Sequence, residues 1–571
     1  MLNVAFCNSL VKIFPEIDFS ASEVNEFTAL KNEPFSFQML YKLADSKSSS
    51  VPFYFKVESD IPVNIYSSEY VMVLGDNDVN FPEKYDPVLF ADMLVPKKYN
   101  APIVEKGGPF HHQFFEEGEN NFLRASSKST KAVWIAVNEN GEDIPAGEHK
   151  LKFSFYKRIN NEFICEVSTS IQIIDAKLPE QELIYTNWFH CDCLSDFYNV
   201  EIFSDRFFEI FEDYVKTASK NGMNMILTPA FTPPLDTHMG CERKTAQLVG
   251  VHLEKGKYTF DFSLLKKYID ISRKCGIKYF EHNHLFTQWG ANACPKIMAE
   301  ENNEIKRIFG WDTPANDERY AEFLKQYLTE LKKFLIAENL FGKVLFHISD
   351  EPMSRHLESY KNAKAIVGEL LEGFMLGDAL SDYSFYEKKI VEMPIVPNSD
   401  IEKFIGKCDN LWCYYTGEQQ GNLSNRTLLN SSERNRMIGI QMYYNNVKGF
   451  LQWAYNYYYD VMSNGLYDPK LNPEGCGTAA GSAFFVYPAQ NGTAFQSIRQ
   501  KVFYEAINDM RALKLCEELF GREKTKKLIE KHFGIVTFRT EAESPEKIIN
   551  FRNEVNNMIN QKIKGEIYSE Y

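Results

Sequence analysis

The sequence predicts an α/β protein in which an N-terminal antiparallel β-sandwich precedes a (β/α)8 TIM barrel. Three observations lead to this prediction. Short strand-like segments separated by turn residues fill residues 1–178. Eight later segments resemble buried strands with helical stretches between most of them, which is the strand count of such a barrel. One of those strands runs into two adjacent carboxylates. We therefore expect a sandwich domain at 1–178 and a barrel at 179–571, with a helical extension from about 497.

The first domain is predicted from short segments rich in strand-forming residues, such as 51–57 and 131–137. Turn residues separate such segments, for example Asn140-Gly141 and Asn160-Asn161. The run 133–174 has the pattern of three or four consecutive antiparallel strands, which is typical of a β-sandwich. Residues 175–182 are expected to form the linker.

After the linker the pattern changes to a strand followed by a helix. Ser204 is a candidate N-cap for the first long helix, whose apolar residues recur at helical spacing up to Gly222. A second apolar stripe, from Tyr320 to Leu331, predicts the helix before strand four. The predicted barrel strands are 184–189, 223–227, 277–281, 343–350, 374–376, 394–396, 411–415 and 449–454.

Strand four ends at Asp350 and Glu351, and Pro352 follows. Proline cannot donate to a strand ladder, so the strand should end near Glu351. Barrel enzymes carry their chemistry at the carboxyl ends of the strands. Neighbouring side chains of a strand point to opposite faces, so we expect one acid to orient a substrate group and the other to exchange a proton. The alternative is a capping acid beside an ordinary surface acid.

Charge and composition argue against some partners and cellular locations. The net charge is −15, with acids spread along the chain, which argues against a nucleic acid or an anionic membrane as partner. No apolar run approaches the ~20 residues needed to span a bilayer. Residues 1–12 lack the pattern of a secretory signal, and the eleven cysteines have no framework spacing. These features predict a reduced, cytoplasmic protein, while its oligomeric state is not indicated.

The loops after the predicted strands combine polar groups with aromatic rings. Sugar hydroxyls need hydrogen-bond partners, and the apolar face of a sugar stacks on aromatic rings, so this combination is typical of a carbohydrate site. Besides Asp350 and Glu351, the candidate substrate-binding residues are His190, His282, Trp289, Asp378, Trp412, Tyr414, Tyr415, Trp453 and Asn456.

A metal site is the main competing interpretation of the same loops. His282 and His284 would share one face of a strand, as in some metal-dependent barrel hydrolases. However, Cys191 and Cys193 have no second Cys or His pair at zinc-finger spacing. We predict no metal and no cofactor, and therefore activity that is indifferent to chelators. No phosphate-binding loop motif is present.

Several segments, taken in order, resemble glycoside hydrolase family 123, the β-N-acetylgalactosaminidases. The likeness extends from the sandwich to the final helices, although Ser482 stands where an acid is expected. The segments are Trp188-Phe189-His190 with Asp192, 284–291, Ser349-Asp350-Glu351-Pro352, 411–415, 449–456, and 484–488 with 497–499.

The resemblance implies a retaining exo-β-N-acetylgalactosaminidase that releases terminal β-linked GalNAc from oligosaccharides, with glycosphingolipid glycans as the expected source. It implies substrate assistance, an exception to the two-carboxylate scheme. Asp350 would hold the acetamido N–H, and Glu351 would be the general acid and base. The alternatives are a β-N-acetylglucosaminidase, whose substrate differs only at O4, a non-catalytic carbohydrate-binding protein, and a metal-dependent barrel hydrolase.

Overall fold

The computed structural model describes residues 1–17, 24, 26–44, 50–74, 88–97, 122–238 and 240–565. The N-terminal part is built from strands and has no helix among its described residues. Its strands are β1 (Leu2–Asn8), β2 (Glu26–Leu30), β3 (Phe35–Leu43), β4 (Val51–Glu58), β5 (Val63–Val73), β6 (Val88–Lys97), β7 (Leu123–Ala125), β8 (Lys131–Val137), β9 (Gly147–Lys157) and β10 (Phe163–Ile174).

The rest of the chain alternates strands with helices. Its strands are β11 (Ile184–Asn187), β12 (Met225–Thr228), β13 (Gly250–Glu254), β14 (Lys257–Asp261), β15 (Tyr279–His282), β16 (Ile297–Glu301), β17 (Glu304–Phe309), β18 (Val344–Phe346), β19 (Met375–Ala379), β20 (Met393–Pro397), β21 (Trp412–Tyr414), β22 (Gly449–Gln452), β23 (Tyr487–Pro488) and β24 (Ala494–Ser497). Its helices are α1 (Cys191–Phe197), α2 (Asp205–Lys220), α3 (Ser263–Lys274), α4 (Glu318–Ala337), α5 (Leu357–Val367), α6 (Tyr383–Glu387), α7 (Ser432–Tyr444), α8 (Ile498–Phe520), α9 (Arg522–Phe533) and α10 (Pro545–Ile563).

Eight parallel strands close a barrel in the order β11-β12-β15-β18-β19-β20-β21-β22. All eight predicted barrel strands are present, so the barrel prediction is confirmed. Ser204 caps α2 as expected, since its side chain accepts a hydrogen bond from the Phe207 N–H. The apolar stripes of α2 and α4 are buried, and residues from 498 onward form the predicted helices.

The N-terminal strands form two sheets that share a hydrophobic core. One sheet has the order β1-β3-β8-β5-β6-β24-β23 and the other β2-β10-β9-β4-β7. Buried residues of both sheets, including Phe37, Ile135, Phe55 and Phe153, belong to one cluster. Most pairs are antiparallel, so the antiparallel, β-rich region is confirmed. Because β24 pairs with β6, residues from the end of the barrel region complete the first sheet.

Strand β18 is shorter than predicted. It ends at Phe346, whereas the sequence predicted a strand through Asp350. Beyond Phe346 the carbonyls of His347 and Ile348 accept hydrogen bonds, each 3.0 Å, from the backbone of Leu285 and Phe286 in the loop after β15. The acid pair therefore lies in a loop beyond the carboxyl end of β18, not within the strand.

A small sheet that the sequence did not predict lies in the loops after β12 and β15. It has the order β14-β13-β16-β17 and contains two hairpins, β13–β14 and β16–β17. β13 and β16 meet in a parallel pair through His252 and Glu300. The hairpins lie on the side of the barrel that carries the strand carboxyl ends, since they are inserted between barrel strands and the helices that follow them.

A buried ion network joins the N-terminal region to the helices. Asp509 in α8 receives hydrogen bonds of 2.8 and 2.9 Å from Arg436 and of 2.8 Å from Arg552. Arg552 also donates to Glu33 at 2.7 Å. Burial raises the pKa of Asp509, but the two guanidinium groups outweigh it and lower that pKa below the usual value.

We expect Asp509→Asn to lower the free energy of unfolding by about 3–5 kcal/mol, because it leaves buried guanidinium charge uncompensated. Denaturant unfolding followed by circular dichroism measures the change. Glu518→Gln, at an exposed position of the same helix, is the matched control and should change the stability by less than about 0.5 kcal/mol. Equal stability of the two variants would contradict the prediction.

Two further features concern the helices and the cysteines of the described residues. No helix within the described ranges is long and apolar enough to cross a bilayer. All eleven cysteines lie in described residues and are free thiols.

Candidate active site

A pocket of about 340 Å³ opens at the carboxyl end of the barrel. It combines carboxyl groups with aromatic rings, and every wall segment lies at or beyond the carboxyl end of a barrel strand. The lining residues are Trp188, Asp236, Gln288, Trp289, Asp350, Glu351, Ala379, Tyr414, Thr416, Gly417, Glu418, Leu451, Trp453, Tyr457, Val461, Met462, Cys476, Gly477 and Thr478.

The loop that carries Asp350 and Glu351 is held by its neighbours. The Ser349 hydroxyl donates to the Thr287 carbonyl at 2.9 Å and accepts from the backbone N–H of Ala291 at 3.1 Å. The Trp289 N–H donates to the Asp350 carbonyl at 2.8 Å. The acids are therefore positioned by the loop after β15 as well as by their own strand.

Both acids line the same pocket, which corrects the expectation that they face opposite sides. Glu351 has a φ of +42°, in the left-handed region that non-glycine residues rarely adopt. The alternation rule holds for extended backbone only, and this residue is not extended. The alternation of a strand therefore does not apply at Glu351, and both carboxyl groups line one pocket.

Their proximity shapes their ionisation. Burial raises the pKa of Asp350 well above its ordinary value, and the charges of Glu351 and Asp236 add to the effect. Burial also raises the pKa of Glu351, although a 2.6 Å hydrogen bond from the Tyr414 hydroxyl opposes the shift. Two buried carboxyls that repel each other titrate as a pair, so ionisation of one raises the pKa of the other.

A buried ion triad lies beneath the acid loop. His347 Nε2 is 2.9 Å from Glu281 Oε1, and His347 Nδ1 is 3.3 Å from Asp378 Oδ1. Burial lowers the pKa of His347, but the two carboxylates outweigh it and raise that pKa to about 10. The resulting imidazolium opposes the rise in the pKa of Asp350. Asp378 also accepts from the Ile348 N–H at 3.0 Å, so the triad anchors the loop.

The triad reaches the pocket wall through Glu281. This carboxylate accepts a 2.6 Å hydrogen bond from the Trp188 indole N–H, and Trp188 lines the pocket. It also accepts from the Thr186 hydroxyl at 2.8 Å. A single buried network therefore positions both the tryptophan and the loop of the acid pair.

His284, His347 and Asp378 place possible metal-ligand atoms within 4.8 Å of one another. The two imidazole rings are stacked, with centroids 4.5 Å apart and planes 16° apart. An imidazole lone pair lies in the ring plane, so two nearly parallel rings do not aim at a common ion. In this arrangement the three residues do not form a coordination site.

Three of the predicted binding residues line the pocket with the acid pair: Trp289, Tyr414 and Trp453. Trp289 is 38% exposed. Asp378 lies below the pocket in the triad. The others lie outside it: His190, His282, Trp412, Tyr415 and Asn456. Any role of these residues in binding remains a prediction.

Hydrogen bonding and packing explain why those residues lie outside. The Asn456 side chain accepts a hydrogen bond from the His190 N–H and donates one to the His190 carbonyl. His190 Nε2 lies 3.0 Å from the carbonyl oxygen of Trp453, which lines the pocket. His190 and Asn456 therefore lie behind the pocket wall and hold it in place. His282 points to the Tyr327 hydroxyl on α4, 2.8 Å away. Trp412 packs inside the barrel, and Tyr415 packs outside it against Phe450.

Sequence reasoning did not assign several residues that line the pocket. Trp188 was part of a matching motif, but nothing in its strand indicated that it faces the pocket. Asp236 follows Pro233-Pro234-Leu235 in the loop after β12, and an acid in a loop at that end of the barrel was the available signal. Gln288, Tyr457 and Glu418 have no distinctive local pattern.

A (β/α)8 barrel with adjacent carboxyl groups in an aromatic pocket at its carboxyl end has the features of a carbohydrate-active enzyme. A family model described as the glycoside hydrolase 123 catalytic domain matches residues 188–516, more than half of the chain. The chain belongs to glycoside hydrolase family 123, so it is a glycosidase that acts on a glycan.

One solved structure shares this fold over almost the whole chain. A family 123 glycoside hydrolase from Clostridium perfringens, described for glycolipid glycan hydrolysis, has a TM-score of 0.69 at 14% identity and covers 99% of this chain and 98% of its own. A family 39 glycoside hydrolase from Bacteroides cellulosilyticus has a TM-score of 0.32 at 10% identity and covers 86% of this chain and 81% of its own. At that TM-score the two folds are not closely similar. No curated protein sequence matches the chain.

Proposed function

We propose that the protein is a retaining exo-β-N-acetylgalactosaminidase that releases terminal β-linked GalNAc from glycans, including those of glycosphingolipids. One observation carries the proposal: the carboxyl groups of Asp350 and Glu351 share a small pocket lined by aromatic rings. The His347 imidazolium acts on Asp350, and Glu351 accepts a hydrogen bond from the Tyr414 hydroxyl. A pocket near the lower end of the range for ligand sites suits a single terminal sugar.

Asp350 is suited to hold the substrate's acetamido group. As a carboxylate it would accept a hydrogen bond from the acetamido N–H, which aims the amide carbonyl oxygen at the anomeric carbon. That oxygen forms a bond to the anomeric carbon as the bond to the leaving oxygen breaks, and a positive oxazolinium ring results. Asp350 would stabilise this charge. The His347 imidazolium lowers the pKa of Asp350, against the larger opposing effects of burial and of the Glu351 and Asp236 charges.

Glu351 is suited to transfer the proton. Burial raises its pKa, so it keeps a proton for the leaving oxygen. After cleavage the Glu351 carboxylate takes a proton from water, which attacks the anomeric carbon and reopens the ring. The acetamido group is restored, and the product retains its configuration because the anomeric carbon has been attacked twice.

The test of this proposal is hydrolysis of 4-nitrophenyl β-GalNAc against 4-nitrophenyl β-GlcNAc, with and without chelator. Preferred cleavage of the GalNAc substrate, unaffected by chelator, supports the proposal. Preference for GlcNAc would instead indicate a β-N-acetylglucosaminidase. Tight GalNAc binding without turnover would indicate a carbohydrate-binding protein. Loss of activity on addition of chelator would indicate a metal-dependent hydrolase.

Tyr414→Phe should move the alkaline limb of the kcat/KM profile to higher pH. The Tyr414 hydroxyl stabilises the charged form of Glu351, so its loss raises the pKa of Glu351 further. A general acid works while it is protonated, and activity is lost as pH rises through its pKa. The pH profile with an oligosaccharide substrate measures this shift, and Tyr415→Phe, outside the pocket, is the matched control. An alkaline limb that moves to lower pH would contradict the assignment of Glu351.

A further inference from the structure

The charged side chains that line the pocket are all acidic. Four of its lining residues carry carboxyl groups: Asp236, Asp350, Glu351 and Glu418. No described lining residue is Lys, Arg or His. Glu418 is exposed at the mouth, whereas the acid pair and Asp236 lie deeper. A ligand that enters therefore meets carboxyl groups and no cationic side chain in the wall, because the His347 imidazolium lies beneath it, paired with Glu281 and Asp378.

Asp236 is held in a strained conformation that presents its carboxyl group. Its φ is +49°, in the left-handed region. Its N–H donates to Gln288 Oε1 at 2.9 Å, and its carbonyl accepts from the Ser463 hydroxyl at 2.7 Å. Its Oδ2 atom is buried and has no hydrogen-bond partner in the protein. Buried polar atoms are normally paired, so this oxygen is available to a donor on a ligand.

The charged groups that face Asp236 leave the local charge negative. Arg243 forms a two-point ion pair with Asp192, with contacts of 2.8 and 2.9 Å, so those charges offset each other. Glu351 lies on the pocket side of Asp236. Tyr457 and Cys476 also face it, and burial raises both of their pKa values, which keeps them neutral.

Asp236 itself titrates near the physiological range. Burial raises its pKa to about 6, against the opposing effect of Arg243. It is therefore mostly anionic above that pH and is neutralised as pH falls through it.

We propose that this pocket selects neutral terminal sugars and rejects sugars that carry a sulfate or carboxylate, with Asp236 inside and Glu418 at the mouth as the deciding residues. A neutral sugar offers a hydroxyl to the unpaired Asp236 oxygen. A sulfated sugar brings a negative charge against a wall that has carboxyl groups and no cationic side chain, and such like-charge contact is strongly unfavourable. The inference rests on the proposed glycosidase function and names the substrate class of the same site.

The test compares three 4-nitrophenyl β-GalNAc glycosides that share one leaving group: the unsubstituted sugar, its 6-O-sulfate and its 6-O-methyl ether. At pH 7.5 kcat/KM for the sulfate should be at least about tenfold below that for the neutral ether, from the repulsion expected at the effective dielectric of a protein site. At pH 5 the difference should shrink, because Asp236 is then protonated while the sulfate stays charged.

Two variants separate charge from size. Glu418→Gln and Asp236→Asn should each reduce the sulfate-to-ether difference severalfold, while Glu387→Gln, an exposed acid of α6 outside the pocket, should leave it unchanged. A difference that is the same in all variants and at both pH values would mean exclusion by size and would overturn the inference. Equal cleavage of all three glycosides would overturn the inference about charge but leave the proposed function standing. If none of the three glycosides were cleaved, the proposed function would be overturned as well.

Discussion

Replacing Glu351 by Gln should lower kcat/KM for GalNAc-terminated oligosaccharides by about 10²–10⁴, the usual contribution of general acid–base catalysis. A sugar alkoxide is a poor leaving group and needs the proton that Glu351 supplies. A nitrophenolate leaves without protonation, so cleavage of the nitrophenyl glycoside should be largely spared. The Tyr414 hydroxyl donates a hydrogen bond to Glu351, and the amide oxygen of Gln can still accept it.

The measurement is the ratio of kcat/KM for the oligosaccharide to the rate of nitrophenol release in the first turnover. The variant should also lose the alkaline limb of its pH profile, because the group that must stay protonated is gone. Glu387→Gln should change neither quantity. Equal losses on both substrates, or an unchanged alkaline limb, would mean that Glu351 is not the proton donor.

Replacing Asp350 by Asn should slow bond cleavage for every substrate, including the nitrophenyl glycoside, by about 10²–10³, the range for loss of one preorganised electrostatic contact. The reason is that the positive oxazolinium forms whatever the leaving group is. Asn cannot offset that charge, and it leaves the His347 imidazolium facing a neutral amide. A stable thiazoline that mimics the cyclised intermediate should bind the wild type tightly and the variant weakly.

Asp236 provides the sharpest alternative to this mechanism, since it is a third carboxyl group in the pocket on a different loop. In the conventional scheme such a residue would attack the anomeric carbon and form a covalent intermediate. A 2-fluoro sugar that labels Asp236 would establish that scheme and displace substrate assistance. Absence of any adduct, together with thiazoline inhibition lost in Asp350→Asn, supports the role proposed for Asp350.

Local patterns were enough to predict the barrel and the place of its chemistry. Short apolar runs marked all eight barrel strands, and helical spacing marked the buried faces of α2 and α4. These signals are local because period and burial are properties of neighbouring residues. The same reasoning placed Asp350 and Glu351 at the carboxyl end of a strand, which the structure shortens to end at Phe346. The family likeness rested on short motifs around such ends.

Tertiary structure alone decided which residues reach the pocket. Strands of a parallel barrel are buried on both faces, so their apolar runs do not show which side chains face the interior. Trp453 lines the pocket, Trp412 packs within the barrel and Tyr415 packs outside it, although all three follow similar patterns.

The conformation of the loops could not be predicted either. Loops have no regular period, so the sequence does not show which way their side chains point. The positive φ of Glu351 and the unpaired oxygen of Asp236 depend on contacts with segments remote in the chain, such as the loop after β15. The sequence by itself was enough to predict the barrel and to single out the acid pair at a strand end. The geometry of the pocket was decided by long-range hydrogen bonds, because only they fix how irregular loops pack against one another.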